Sequence, residues 1–163
     1  MAKAFVFGNN IDTDGIIPSN YINTTDEREL GRHCMKGVDA TFVQNIKAGD
    51  IIVGGANFGC GSSREHAVMA IRGCGVSCVI AVSFARIFYR NAINMGFPIL
   101  VCPDAAKDIV SGDEVTIDFE NGLIQNKTKK ETYRASAFPG FVRAMMEKGG
   151  LLAYVRSCMN ENT

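Results

Sequence analysis

The 163-residue sequence contains no tryptophan, only two histidines and four prolines, and its seventeen basic residues are cancelled by seventeen acidic ones. Each shortage removes a class of explanation. Zero net charge leaves no overall electrostatic footprint for nucleic acid or anionic lipid, so neither kind of partner is expected. With His33 and His66 as the only histidines, and no Cys-x-x-Cys pair, no metal site closed by this chain alone is expected. No apolar run approaches the roughly 20 residues that a membrane-spanning helix needs. The stretch Met1-Ala2-Lys3-Ala4-Phe5-Val6-Phe7 meets the polar Gly8-Asn9-Asn10 too soon for a signal peptide. The expectation is a cytoplasmic protein without membrane contact, whose six cysteines (Cys34, Cys60, Cys74, Cys78, Cys102 and Cys158) are reduced thiols rather than a disulfide framework.

What is present has globular proportions. Hydrophobic residues make up 47% and charged residues 21%, which excludes a disordered or fibrous chain. Against roughly 100–200 residues per domain, residues 1–163 read as one domain. Lys3 to Phe7 is a short β-prone run, followed by turn formers from Gly8 to Gly15. Thr25 or Asp26 can cap a short helix reaching Met35. Ile51-Ile52-Val53 reads as a buried strand. From Arg64, the apolar residues Ala67, Val68, Ile71 and Cys74 form one helix face, closed by Gly73 and Gly75. Val76 to Val82 is a nearly unbroken β-prone run suited to a central strand. Ser83 can cap a second helix with Ala85, Phe88, Ala92 and Met95 inward, and Pro98 to Val101 adds a strand. The order from Ile51 to Val101 predicts a parallel α/β unit with right-handed crossovers. Val115 to Phe119 then alternates, and Glu120-Asn121-Gly122 signals a hairpin, so the later half is expected to be antiparallel. Pro139 opens a helix whose inner face is Phe138, Phe141, Val142, Met145 and Met146.

Chemistry concentrates in Ala56-Asn57-Phe58-Gly59-Cys60-Gly61-Ser62-Ser63-Arg64-Glu65-His66. A strand end leads through two glycines into a helix, where backbone N–H groups and the positive dipole end favour an anion. Ser62 and Ser63 add hydroxyl donors, and Arg64 adds a planar fork suited to a carboxylate. The competing reading is structural: Ser62 or Ser63 caps the helix and Arg64 is solvated. A cap uses one hydroxyl, which leaves the second for other work. The polar loop Asn9, Asn10, Asp12, Thr13 and Asp14 can meet this turn, because loops leaving the carboxyl ends of parallel strands gather at one edge. Cys60, in the glycine turn, is a weaker candidate nucleophile, and Cys74 and Cys78 read as packed hydrophobes. His33 reads as a satisfied or exposed histidine rather than a ligand.

Gly59 to His66, followed by Ser83-Phe84-Ala85-Arg86-Ile87-Phe88 and Asn91, resembles the swivel domain of the aconitase superfamily. Asp12-Thr13-Asp14-Gly15-Ile16-Ile17-Pro18, Tyr21-Ile22-Asn23-Thr24 and Gly55-Ala56-Asn57-Phe58-Gly59 are similar to the free-standing small subunits of its isopropylmalate-dehydrating branch. The resemblance implies an α/β fold: a swivelling β/β/α sandwich with a parallel sheet, a helical layer and additional antiparallel strands. It also implies a hydro-lyase of two different chains that dehydrates 2-isopropylmalate and rehydrates it as 3-isopropylmalate in leucine biosynthesis. A large subunit would hold the four-iron four-sulfur cluster, with none bound by this chain. By the same resemblance, Ser62 supplies the base, Ser63 and Arg64 hold a carboxylate of a small dicarboxylic hydroxy acid, and Asp14 orients a histidine of the large subunit. Tyr21, Ile22, Asn23 and Thr24 fall where relatives with a carboxylate-armed substrate carry an arginine. Ile22 instead offers an apolar contact, which favours a branched apolar arm without separating isopropylmalate from 2,3-dimethylmalate or methylmalate.

Overall fold

Short β-branched and apolar stretches build the centre of the molecule. The computed structural model describes residues 2–136, 144, 147 and 156–160. The helix expected from Pro139, with Phe138, Phe141, Val142, Met145 and Met146, lies outside the described residues. The elements run β1 (Ala2–Val6), α1 (Thr13–Ile16), α2 (Glu27–Gly31), α3 (Phe42–Asn45), β2 (Ile51–Gly54), α4 (Glu65–Gly73) and β3 (Cys78–Ala81). They continue with α5 (Arg86–Asn94), β4 (Ile99–Val101), α6 (Pro103–Asp108), β5 (Glu114–Asp118), β6 (Leu123–Asn126) and β7 (Glu131–Arg134).

The strands form one seven-stranded mixed sheet in the order β4-β3-β2-β1-β5-β6-β7. β1, β2, β3 and β4 are parallel, with Val6 opposite Val53, Val53 opposite Ile80 and Ile80 opposite Leu100. β1 is also antiparallel to β5, with Ala2 opposite Val115. The β5–β6 hairpin turns where Glu120-Asn121-Gly122 predicts it, and Gly122 there has φ of +68°.

Alternation assigns each side chain to a layer. Ile52, Val79, Ala81 and Ile99 pack with Leu30, Phe42, Val68, Ile71 and Phe88 on the helical face. Ile51, Val53, Cys78, Ile80 and Leu100 face the other way, onto Ala105 of α6 and onto Val115, Ile124 and Tyr133 of the antiparallel strands. Both faces of the parallel strands are therefore covered, which is why they read as continuous apolar runs. The expected α/β class and its three layers are present, with the antiparallel strands continuous with the parallel sheet through β1.

Local signals hold in part. Asp26 caps α2, accepting from the Arg28 N–H at 3.0 Å. That helix ends at Gly31, and turns rather than helix carry the chain to Val38. Ser83 does not cap α5, whose N-cap is Ala85. Its hydroxyl instead accepts from the Asn57 N–H at 2.8 Å, tying the loops after β2 and β3 together.

Candidate active site

Because β1 and β2 are parallel neighbours, the loops after them leave the sheet side by side. Backbone bonds then braid them. Asn9 Oδ1 accepts from the Ala56 N–H at 2.8 Å, Gly59 N–H donates to the Ile11 carbonyl at 2.7 Å, and Thr13 N–H donates to the Cys60 carbonyl at 2.8 Å. The loop after β3 joins from the far side, with the Phe58 N–H donating to the Ser83 carbonyl at 3.0 Å and the Ala85 N–H to the Phe58 carbonyl at 2.9 Å. The expected meeting of the Asn9–Asp14 loop with the glycine turn is thus observed.

Two glycines shape the turn for different reasons. Gly59, at φ +84°, lies so close to Phe88 that an added Cβ would sit 2.5 Å from Cδ2 of its ring. Gly61, at φ +93°, has more room: the nearest atom to an added Cβ is Thr13 Oγ1 at 3.5 Å. Beneath them, Phe58 packs edge-on against Phe88, with ring centroids 5.3 Å apart.

Neither serine caps α4. Its N-cap is Arg64, in extended conformation and without a side-chain cap bond, and Ser62 and Ser63 precede it as exposed residues. Their hydroxyls make no hydrogen bond among the described residues. The structural reading, in which one serine serves as the cap, is overturned because Arg64, itself in extended conformation, occupies the N-cap position. Both hydroxyls are free to meet a ligand.

Arg64 is not simply solvated either. Its Nη1 donates to Asp14 Oδ1 at 2.6 Å and approaches the Ile17 carbonyl at 3.4 Å, with the side chain 17% exposed. Nε and Nη2 make no hydrogen bond among the described residues, so the edge suited to bidentate carboxylate binding stays open. Asp14 is 63% exposed, and its backbone loop is capped by Asp12, which accepts from the Gly15 N–H at 2.7 Å. The Asp14 carboxylate is therefore spared a capping role.

Tyr21, Ile22, Asn23 and Thr24 stand apart: no hydrogen bond or ring contact links them to Ser62, Ser63 or Arg64 among the described residues. Tyr21 stacks on His33 with centroids 3.9 Å apart, and Lys36 sits 4.8 Å from the same ring. Hydrogen bonding from Lys36 holds the phenol below its ordinary pKa. Ile22 packs against the core, Asn23 is exposed, and Thr24 Oγ1 accepts from the Asp26 N–H at 3.1 Å. His33 is neither satisfied nor simply exposed, since its Nδ1 is buried without a partner. The supports of this loop, His33 and Lys36, escape sequence reasoning because they lie in turns with no period.

Among the described residues no group of three His, Cys, Asp or Glu side chains is arranged to hold a metal ion. The thiols among the described residues are not gathered in a set that fits an iron–sulfur cluster.

The profile of the Aconitase C-terminal domain family matches residues 2–104, more than half of the sequence. The chain belongs to the Aconitase C-terminal domain family. Within it, the chain is 57% identical over 155 residues to the 3-isopropylmalate dehydratase small subunit of Clostridium beijerinckii, covering 95% of this chain and 96% of that one. It is 54% identical over 155 residues to the 2,3-dimethylmalate dehydratase small subunit of Eubacterium barkeri, covering 95% of each. The crystal structure of 3-isopropylmalate dehydratase from Methanocaldococcus jannaschii superposes with a TM-score of 0.94 at 45% identity, covering 99% of this chain and 95% of that one. Likeness at this level of coverage extends over all the described elements, the antiparallel strands beyond the matched profile included.

Proposed function

We propose that the chain is the small subunit of a heteromeric hydro-lyase that isomerises 2-isopropylmalate to 3-isopropylmalate by dehydration and rehydration in leucine biosynthesis. The observation that carries this reading is the exposed Ser62-Ser63 pair, free of capping duty, one residue before an Arg64 whose Nε–Nη2 edge is open. The names of the relatives support the reaction class.

In this reading Arg64 and the Ser63 hydroxyl hold a substrate carboxylate, and Ser62, as an alkoxide, removes the proton from the carbon beside it. The electron pair left on that carbon forms the alkene as the neighbouring hydroxyl departs. The hydroxyl leaves as water with a proton from the large subunit's histidine. Water then adds to the carbon that lost its proton, returning one proton to that histidine, while Ser62 delivers its proton to the carbon that lost the hydroxyl. A serine hydroxyl is a poor base in water, so its anion needs the α4 N-terminus, the Arg64 charge and a site closed against solvent. The open face around Ser62 supplies the first two, and a large subunit docked there supplies closure. No residue of this chain would hold the four-iron four-sulfur cluster; carried by the large subunit, it would supply Lewis-acid binding of the departing hydroxyl. Asp14 faces the same partner and orients its catalytic histidine. Tyr21 to Thr24 form the wall for the apolar arm, reached when the partner and substrate close the site. The complex works in the cytoplasm, without nucleic acid or membrane.

A second reading, a 2,3-dimethylmalate dehydratase small subunit, is favoured by the Eubacterium barkeri relative. Reconstitution with the large subunit, followed by a panel of 2-isopropylmalate, 2,3-dimethylmalate, methylmalate and homoaconitate, decides between them. Fastest turnover of 2-isopropylmalate, and none by the small subunit alone, is the expected result. Comparable turnover by the single chain, or a preference for another malate, overturns the proposal.

A further inference from the structure

We propose that Cys34 and Cys74 form a peroxide-oxidisable dithiol where α2 crosses α4, with Cys74 as the attacking thiol and Cys34 as the resolving one. The crossing is tight because it is made of glycines. A Cβ on Gly31 would lie 2.6 Å from the Cys74 nitrogen, and one on Gly73 would collide with the Glu27 carbonyl oxygen. The Glu27 carboxylate also grips Arg72 through Nε, at 3.0 and 3.1 Å, and through Nη2, so an ion pair pins the two helices beside this contact. Cys34 lies three residues beyond Gly31, whose backbone touches that of Cys74, and the two thiols are neighbours in the same apolar cluster.

Their surroundings differ. Cys34 is 1% exposed within the helical-face core, while Cys74 packs at the edge of that core and lines a surface groove of about 310 Å³ with Arg28, Arg32, Val43 and Ile46. A small polar oxidant entering the groove meets Cys74 first. Acidity follows the same asymmetry. Burial, then the neighbouring Cys74, raises the Cys34 thiol well above its ordinary range, whereas the hydrogen bond with Cys34 lowers Cys74. Cys78 and Cys102 are buried on the opposite face of the sheet, out of reach of this pair.

The chemistry balances with hydrogen peroxide as the oxidant. The Cys74 thiolate attacks one peroxide oxygen, the O–O bond breaks, hydroxide leaves and a sulfenic acid forms. The Cys34 sulfur then attacks the Cys74 sulfur, the S–O bond breaks, and the Cys34 proton leaves with the hydroxyl as water. Two thiols lose two electrons in all, and one peroxide is reduced to two waters. Nothing in this depends on the reaction assigned to Ser62.

The test uses the reduced full chain, treated with hydrogen peroxide, quenched with an alkylating agent and mapped by mass spectrometry. A mass loss of two hydrogens, reversed by dithiothreitol, and a cross-link between tryptic peptides 33–36 and 73–86 are expected. The second peptide holds both Cys74 and Cys78, so fragmentation between them must place the bond on Cys74. Cys34→Ser should stop at a Cys74 sulfenic acid captured by a dimedone probe, and Cys74→Ser should abolish both products. If either variant fails to fold, the mapping of the unaltered chain decides. Retention of all six thiols, a bond through Cys60, Cys78 or Cys158, or only intermolecular products would overturn the proposal.

Discussion

Arg64 Nη1 is held 2.6 Å from Asp14 Oδ1, across fifty positions of sequence, and this pair joins the two loops that leave β1 and β2. The pair leaves one edge of the guanidinium open and fixes its plane. Asp14 is 63% exposed, so its loss should change folding stability by no more than about 1 kcal/mol. Asp14→Asn should instead raise KM and lower turnover in the reconstituted complex by roughly tenfold or more, since a misplaced charge costs orientation. Urea unfolding beside steady-state kinetics checks this. A variant that unfolds readily but turns over normally would show the pair to be structural.

Ser62→Ala removes a hydroxyl that caps nothing. The unfolding midpoint should stay within about 0.5 kcal/mol of the parent, while turnover of the complex falls by about 10³ or more. Had the serine served as a cap, the stability loss would be about 1 kcal/mol with activity following stability alone. Measuring both quantities on the same preparation separates the two outcomes.

Gly59 and Gly61 share positive φ but not surroundings. Alanine at Gly61 should cost about 1 kcal/mol, the backbone penalty alone. At Gly59 the added Cβ also collides with Phe88 in the core, and the cost should rise to roughly 2–4 kcal/mol. Equal denaturation midpoints for the two variants would mean that the Phe88 contact relaxes freely.

Tyr133 should leave an alkaline signature. Burial first, and then the hydrogen bond its hydroxyl donates to Asp108, push its pKa up to about 12. A raised folded pKa means that the stabilisation is complete below the unfolded value, near 10, and is lost as pH rises through about 12. Between pH 10 and 12 the parent should therefore lose roughly 1–3 kcal/mol more than Tyr133→Phe, judged by urea unfolding. Parallel curves for the two proteins would remove Tyr133 as the source.

Elements whose cause is local were readable in the sequence. The α4 stripe of Ala67, Val68 and Ile71, the Asp26 cap and the Gly122 turn all follow from spacing and residue type. Ser83 misleads because a distant backbone donor, Asn57 N–H, competes for its hydroxyl. α6 passes unread, although Pro103 and Asp104 stand in its first turn, since its six residues carry too little periodicity. The exposed serine turn ahead of α4 was legible from its Gly-Cys-Gly-Ser-Ser pattern. The pairing of Arg64 with Asp14 was not, because only the parallel register of β1 on β2 makes them neighbours.

β1 is measured against two rulers at once, parallel to β2 along Ala4 to Val6 and antiparallel to β5 along Ala2 and Lys3. A slip of one residue against either neighbour would turn its side chains to the wrong layer. The same slip would shift the loop that ends in Asp14 by roughly 3 Å, more than a hydrogen bond tolerates. The antiparallel strands, which contribute no residue to the serine turn, thus set the height at which Asp14 meets Arg64.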